Sequence, residues 1–148
     1  MDTSYRKASL EDEEQVRSLL SNVKGDASSF DLNRFVVARK GKKVVGCVRT
    51  KKLAGDCLEL ASLAVLSKYR KKGIGGNLIK KILEKEEKRP IYLITSSEMV
   101  SFYKRFGFKV IDSDLLPRGI KEEYHRIISM PFTKDIKVVV MKIGSPRK

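Results

Sequence analysis

The sequence predicts a mixed α/β domain, and three observations carry that prediction. Apolar residues recur at helical spacing in two places: Val16, Leu19, Leu20 and Val23, then Ile74, Leu78, Ile79, Ile82 and Leu83. Between and beyond them lie short apolar or alternating runs of strand length. The two kinds of segment interleave along the chain, which is the pattern of helices crossing between strands.

Tyr5 to Ala8 is a short strand. Ser9 then offers an N-cap, with Asp12 three residues on as a capping box, so the first helix runs from about Leu10 to Asn22 and Gly25 ends it. Asp26 to Asn33 is a loop or a short helix. Arg34 to Arg39 and Lys43 to Arg49 form a hairpin across Lys40-Gly41-Lys42. Leu53 to Asp56 turns the chain into a longer strand, Cys57 to Leu66. A basic, glycine-containing loop leads into a helix from Gly73 to about Lys88, which Pro90 stops. Ile91 to Thr95 is a buried strand, and Ser97 to Phe106 a short helix closed by Gly107. Phe108 to Asp112 is a strand, Asp114 to Phe132 is irregular or helical, Ile136 to Ile143 is the last strand, and Ser145 to Lys148 is a free tail.

The 148 residues have room for a single domain, 1–148, with a real core. No apolar run approaches the roughly 20 residues needed to span a bilayer, and the N-terminus lacks a signal-peptide pattern. The two cysteines, Cys47 and Cys57, lie in strand-like runs; a disulfide is one option, and buried free thiols in a reducing cytoplasm are the expectation. Lys plus Arg number 32 against 18 Asp plus Glu, a net charge of +14 that favours anionic partners. A lysine-rich solvated surface explains that charge equally well. The basic residues are spread along the chain and there is no Trp, which argues against a nucleic-acid-binding module.

The segment Arg70-Lys71-Lys72-Gly73-Ile74-Gly75-Gly76 lies between a strand and an amphipathic helix. Glycines let backbone amides approach an anion, and the helix N-terminus adds unpaired N–H groups and a favourable dipole. A P-loop would need Gly-Lys-Ser/Thr where Gly75-Gly76-Asn77 stands, so it is excluded. A dinucleotide fingerprint would need a glycine at Leu78 and an acidic end to the next strand, which closes with Ile94-Thr95. What remains is R-x-x-G-x-G after a strand.

That loop, Glu59-Leu60-Ala61-Ser62-Leu63-Ala64-Val65 before it, and Ser101-Phe102-Tyr103-Lys104-Arg105-Phe106-Gly107-Phe108 after it together resemble the GNAT superfamily of N-acetyltransferases. Glu59 to Val65, Leu93-Ile94-Thr95-Ser96 and Asp112-Ser113-Asp114-Leu115-Leu116-Pro117 are most similar to the acetyltransferase domain of N-acetylglutamate synthase, with Tyr124 following. The resemblance implies a mixed, mostly antiparallel sheet with splayed central parallel strands, flanked by helices. It implies acetyl-CoA as co-substrate and a primary amine as acceptor, that of a small molecule or amino acid, with a protein or peptide amine as the alternative. Leu63, Ala64 and Val65 would pair with the pantetheine arm as an added strand. Lys71, Lys72, Gly73, Ile74, Gly75 and Gly76 would form the pyrophosphate loop, with Arg70 in the coenzyme-binding Gln/Arg position just ahead of it. Ser96 stands where many members carry an asparagine that contacts the coenzyme. Two departures accompany the likeness: no kinase-like domain precedes the module within these residues, and after Tyr124 the only arginine near the expected carboxylate-binding position is Arg126.

Acyl transfer to an amine needs a base, an oxyanion donor and a proton for the leaving thiolate. Period-two alternation puts Glu59 on one face with Ala61, Leu63 and Val65, where desolvation would raise its pKa toward that of a useful base. The competing reading is a strand-end glutamate paired with a lysine. A backbone N–H near Val65 would serve the oxyanion. The resemblance makes Tyr103 the acid at the coenzyme sulfur; alternatively it is a core tyrosine packed with Phe102 and Phe106. His125, the only histidine, is expected at the surface, and no metal site is expected. The enzyme is expected to work in the cytoplasm as a monomer or homodimer.

Overall fold

The computed structural model describes residues 2–22 and 29–144. The helix stop expected at Gly25, the start of the loop expected from Asp26 and the tail at 145–148 lie outside them. Among the described residues seven strands and four α-helices follow one another as β1 (Thr3–Lys7), α1 (Glu13–Asn22), β2 (Phe35–Lys40), β3 (Lys43–Leu53), β4 (Cys57–Val65), α2 (Ile74–Lys85), β5 (Ile91–Ser96), α3 (Val100–Lys104), β6 (Lys109–Ile111), α4 (Arg118–Ile128) and β7 (Val138–Ile143). The fold is a mixed α/β sheet flanked by helices. The chain divides into two compact units, residues 1–51 with 61–87 and residues 52–60 with 88–148, and strand β4 contributes to both.

In the first unit the strand order is β1-β2-β3-β4. β1 and β2 are antiparallel from Thr3↔Lys40 to Lys7↔Val36, and the β2–β3 hairpin closes at Lys40↔Lys43 with Gly41 in a left-handed turn. Val16, Leu19 and Leu20 of α1 pack on Phe35, Val37, Val44, Cys47 and Ala64. Each such fully buried Val, Leu or Phe is worth about 1.5–3 kcal/mol, so this one stripe is enough to dock the helix. The chain enters α1 through a short 3-10 turn, Leu10–Asp12, rather than as one helix from Leu10. Asp12 is fully buried there; it accepts the Ser9 N–H at 2.9 Å and pairs with Arg6 at 3.2 Å and Arg39 at 3.5 Å. A carboxylate can be buried only when matched in this way.

Helix α2 presents Ile74, Leu78, Ile79 and Ile82 to the core, the stripe expected from its spacing. It ends at Lys85, short of the expected Lys88. Tertiary contacts release the chain before Pro90 can: Glu86 turns out of the helix to pair with Arg34 at 3.3 Å, and the Lys85 ammonium donates to the Asn33 carbonyl at 3.4 Å.

In the second unit the order is β4-β5-β7-β6. β4 and β5 are parallel through Leu58↔Ile91 and Glu59↔Tyr92, while β5 continues against β7 as far as Ser96↔Val138. Its core joins Cys57, Tyr92, Ile120 and Val140. The segment 114–132 contains a full helix, α4, whose buried positions are Gly119, Ile120 and Glu123. A glycine and a glutamate at buried positions hide the apolar stripe from a periodicity reading. Gly119 is required there, because a Cβ would collide with the Ala54 carbonyl and sit 3.0 Å from the Ala54 nitrogen. The expected helix 97–106 is a 3-10 turn, Ser97–Met99, followed by the short α3, with Gly107 (φ 102) ending it.

Candidate active site

The loop after β4 begins with Leu66, whose N–H donates to the Val45 carbonyl at 2.9 Å, and a single turn at Ser67–Tyr69. The Arg70 Nε donates to the Val65 carbonyl at 3.0 Å, so the loop is tied to the end of its own strand. Lys71 (φ 62) and Gly73 (φ 80) both have left-handed backbone. Left-handed residues beside a helix start turn successive N–H groups toward one concave face, which is the geometry of an anion nest. Gly73 caps α2 without any side-chain hydrogen bond, and a Cβ at Gly73 would meet nothing within 4 Å. It is glycine for its backbone angle, and the loop face in front of it is open. The N–H groups of Ile74, Gly75 and Gly76 are the first of the helix and lack intrahelical acceptors. Arg70, Lys71 and Lys72 are exposed, and among the described residues none of the three is in an ion pair with a carboxylate. The arrangement is suited to a multiply charged phosphate.

Leu63 and Val65 are half-buried and Ala64 is buried. Ahead of them Ser62 has φ 59 in mid-strand. This corrects the expected alternation: a left-handed residue interrupts the period of two, so Glu59 does not share a regular face with Leu63 and Val65. Ser62 is held by β3. Arg49 Nε donates to its Oγ at 2.9 Å, and the Cys47 thiol donates to its carbonyl at 3.6 Å.

In the second unit Glu59 is 3 % exposed and stands opposite Tyr92 in register. Cys57, Leu58 and Leu60 are buried with it, so the strand is covered on both faces and the carboxylate is far more desolvated than a strand-end position would be. Tyr103 is 9 % exposed, and burial pushes its hydroxyl up to about 12. Its ring meets Phe102 edge-on at 5.0 Å and Phe108 at 6.1 Å; Phe106, expected beside it, packs on Phe102 instead. Ser96 is the half-buried last residue of β5 and makes no side-chain cap. His125 is exposed, and Arg126 donates to the buried Glu123 at 2.7 Å.

Among the described residues no His, Cys, Asp or Glu cluster of three could hold a metal, and no helix is long and apolar enough to cross a membrane. Both cysteines are buried and free. Arg49, 1 % exposed, is the residue that sequence reasoning missed. Its signal was a lone arginine inside the apolar run Val44 to Val48 and Thr50.

Cys47 supplies a pH-dependence. Burial pushes its thiol from 9.0 up to about 12, opposed by the Arg49 guanidinium. A raised pKa contributes stability that is complete below the unfolded value and is lost as pH rises through the folded one. Stability should therefore fall between pH 9.0 and about 12. Urea midpoints taken at about pH 8 and about pH 10.5 should drop in wild type and drop less in Cys47→Ala. An equal drop in both proteins assigns the loss to other groups.

A profile of the acetyltransferase (GNAT) domain matches residues 31–110, more than half of the chain. The chain belongs to the GNAT acetyltransferase family. An uncharacterized N-acetyltransferase from Chlorobaculum tepidum is 28% identical over 131 residues, 80% of this chain and 83% of that protein. N-acetylglutamate synthase from Neisseria gonorrhoeae, solved with coenzyme A and N-acetyl-glutamate, superposes with a TM-score of 0.76 at 19% identity over 99% of this chain. The chain spans 36% of the synthase's length. Arabidopsis thaliana Naa50, solved with the bisubstrate analogue CoA-Ac-MVNAL, has a TM-score of 0.64 at 21% identity, covering 97% of this chain and 99% of that one.

Proposed function

We propose that this GNAT enzyme moves the acetyl group of acetyl-CoA to the primary amine of a small molecule or amino acid, with residues 1–148 acting as one acetyltransferase domain. The observation that carries the coenzyme half of this reading is the loop at 70–76. Two left-handed residues, a helix start with glycine as its N-cap and three cations with no carboxylate partner among the described residues meet there. In this reading Arg70 to Gly76 hold the pyrophosphate, and Leu63, Ala64 and Val65 pair with the pantetheine arm. Val65, in this reading, offers its N–H to that arm or to the oxyanion, while its carbonyl accepts from Arg70. Ser96 contacts the coenzyme, Glu59 accepts the proton of the attacking amine, and Tyr103 protonates the departing thiolate. Burial of both groups supports these roles: Glu59 is 3 % exposed, and a tyrosine held near 12 stays a donor throughout the working pH range.

The acceptor class rests on the likeness to the synthase. The likeness to Naa50, whose analogue carries a peptide, supports a second reading in which the acceptor is a protein or peptide amine. A screen of amino acids, polyamines and short peptides, corrected for acetyl-CoA hydrolysis, separates them: turnover confined to peptides overturns the small-molecule reading. Glu59→Gln keeps shape and removes proton acceptance. Turnover should fall by about 10²–10⁴ near neutral pH, with the deficit shrinking as pH approaches the acceptor's own pKa, where the amine sheds its proton unaided. An unchanged pH–rate profile makes Glu59 structural.

A further inference from the structure

Four non-glycine residues among those described have left-handed backbone: Ser29 (φ 50), Asp56 (φ 58), Ser62 (φ 59) and Lys71 (φ 62). Asp56 follows Gly55 in a turn, and Lys71 belongs to the loop that ends at Gly73. Ser29 and Ser62 have no adjacent glycine to share the reversal, and Ser62 lies inside a strand. A non-glycine residue stays in this region only where its surroundings over-determine it.

The same side chain holds both serines. Arg49 donates from Nε to Ser62 Oγ at 2.9 Å and from Nη1 to the Ser29 carbonyl at 3.1 Å. Its guanidinium carbon lies 5.3 Å from the centre of the Phe35 ring, a cation–π contact beside those hydrogen bonds. Two residues earlier on β3, Cys47 reaches the Ser62 carbonyl at 3.6 Å. Ser62 is thus gripped through its side chain and its backbone, from one neighbouring strand. The residue after it is Leu63, the start of the segment read above as the pantetheine-binding strand.

We propose that Arg49 is a positioning residue for coenzyme binding: it holds Ser62 in its left-handed turn and so sets the direction in which Leu63-Ala64-Val65 leaves the strand. The proposal rests on the reading that this segment carries the pantetheine arm. β-Strand addition needs backbone N–H and C=O groups at strand spacing and facing the ligand. A relaxed Ser62 would rotate the peptide groups that follow it. Lysine cannot replace Arg49, because one ammonium on a flexible stem does not reproduce two donors fixed in a plane.

The test is a cycle of Arg49→Lys and Ser62→Gly, with coenzyme A affinity measured by calorimetry on protein shown to be folded, and kcat measured at saturating acetyl-CoA. Arg49→Lys should weaken coenzyme A about tenfold while kcat changes much less. Ser62→Gly should bind near wild type, since glycine adopts φ 59 without strain. In that background the Arg49→Lys penalty should shrink to about twofold or less, a non-additivity expected only of a coupled pair. The same penalty in both backgrounds overturns the proposal, as does an Arg49→Lys protein that melts lower yet binds coenzyme A normally. If Arg49→Lys does not fold, Ser62→Ala against Ser62→Gly decides. Alanine keeps the strain and loses the tether, so it should bind several-fold more weakly than glycine, and equal affinities overturn the proposal. No coenzyme A binding by wild type defeats the loop reading itself; normal wild-type binding with indifferent variants defeats only the role of Arg49.

Discussion

Tyr103→Phe is expected to slow turnover by about 10²–10⁴ at saturating substrates, the range over which a general acid acts. Coenzyme affinity should stay near wild type, because the ring keeps its contacts with Phe102 and Phe108. Stability should move by no more than about 1 kcal/mol, since one hydroxyl is removed without opening a cavity. The loss should be uniform from acid to mildly alkaline pH, as burial keeps the wild-type hydroxyl protonated up to about 12. Acetyl donors whose leaving thiols differ in acidity make the check. A real acid leaves wild type less sensitive to leaving-group pKa than the mutant. Equal sensitivity, with turnover within about twofold of wild type, returns Tyr103 to a packing role and leaves the thiolate to water.

Gly75→Glu is expected to abolish coenzyme binding while leaving the fold intact. Gly75 is the second residue of α2, where its N–H is among those without an intrahelical acceptor. A carboxylate attached there occupies the space in front of those N–H groups and repels the phosphates they would receive. Glutamate is a better helix former than glycine, so α2 should be no less stable. Wild type should melt at a higher temperature with acetyl-CoA present; a ligand at 100 times its Kd adds about 2.7 kcal/mol to the folded state. The variant should show no such shift. Unchanged binding in folded Gly75→Glu would remove the pyrophosphate assignment from residues 70–76.

Local sequence determined the elements whose signals are local. The stripe Ile74, Leu78, Ile79, Ile82 defines α2 because helical period and burial coincide there. Gly41 marks the hairpin, Gly107 ends α3, and the glycines and cations at 70–76 mark the loop, because each needs only a backbone angle or a charge at a fixed position. Family membership followed from the same short segments. Tertiary structure decided everything that depends on a partner distant in the chain. Helix α4 was ambiguous because its buried face contains a glutamate, Glu123, and Gly119, which makes sense only against the Ala54 backbone. The end of α2 depends on Arg34, some 50 residues away. The face carrying Glu59 was misjudged because alternation assumes regular strand angles. Ser62 departs from them, at a place where Arg49 and Cys47, on another strand, hydrogen-bond to it. Periodicity reports which residues want burial; a left-handed residue inside a strand is held by contacts from another segment, and no stretch of local sequence contains those.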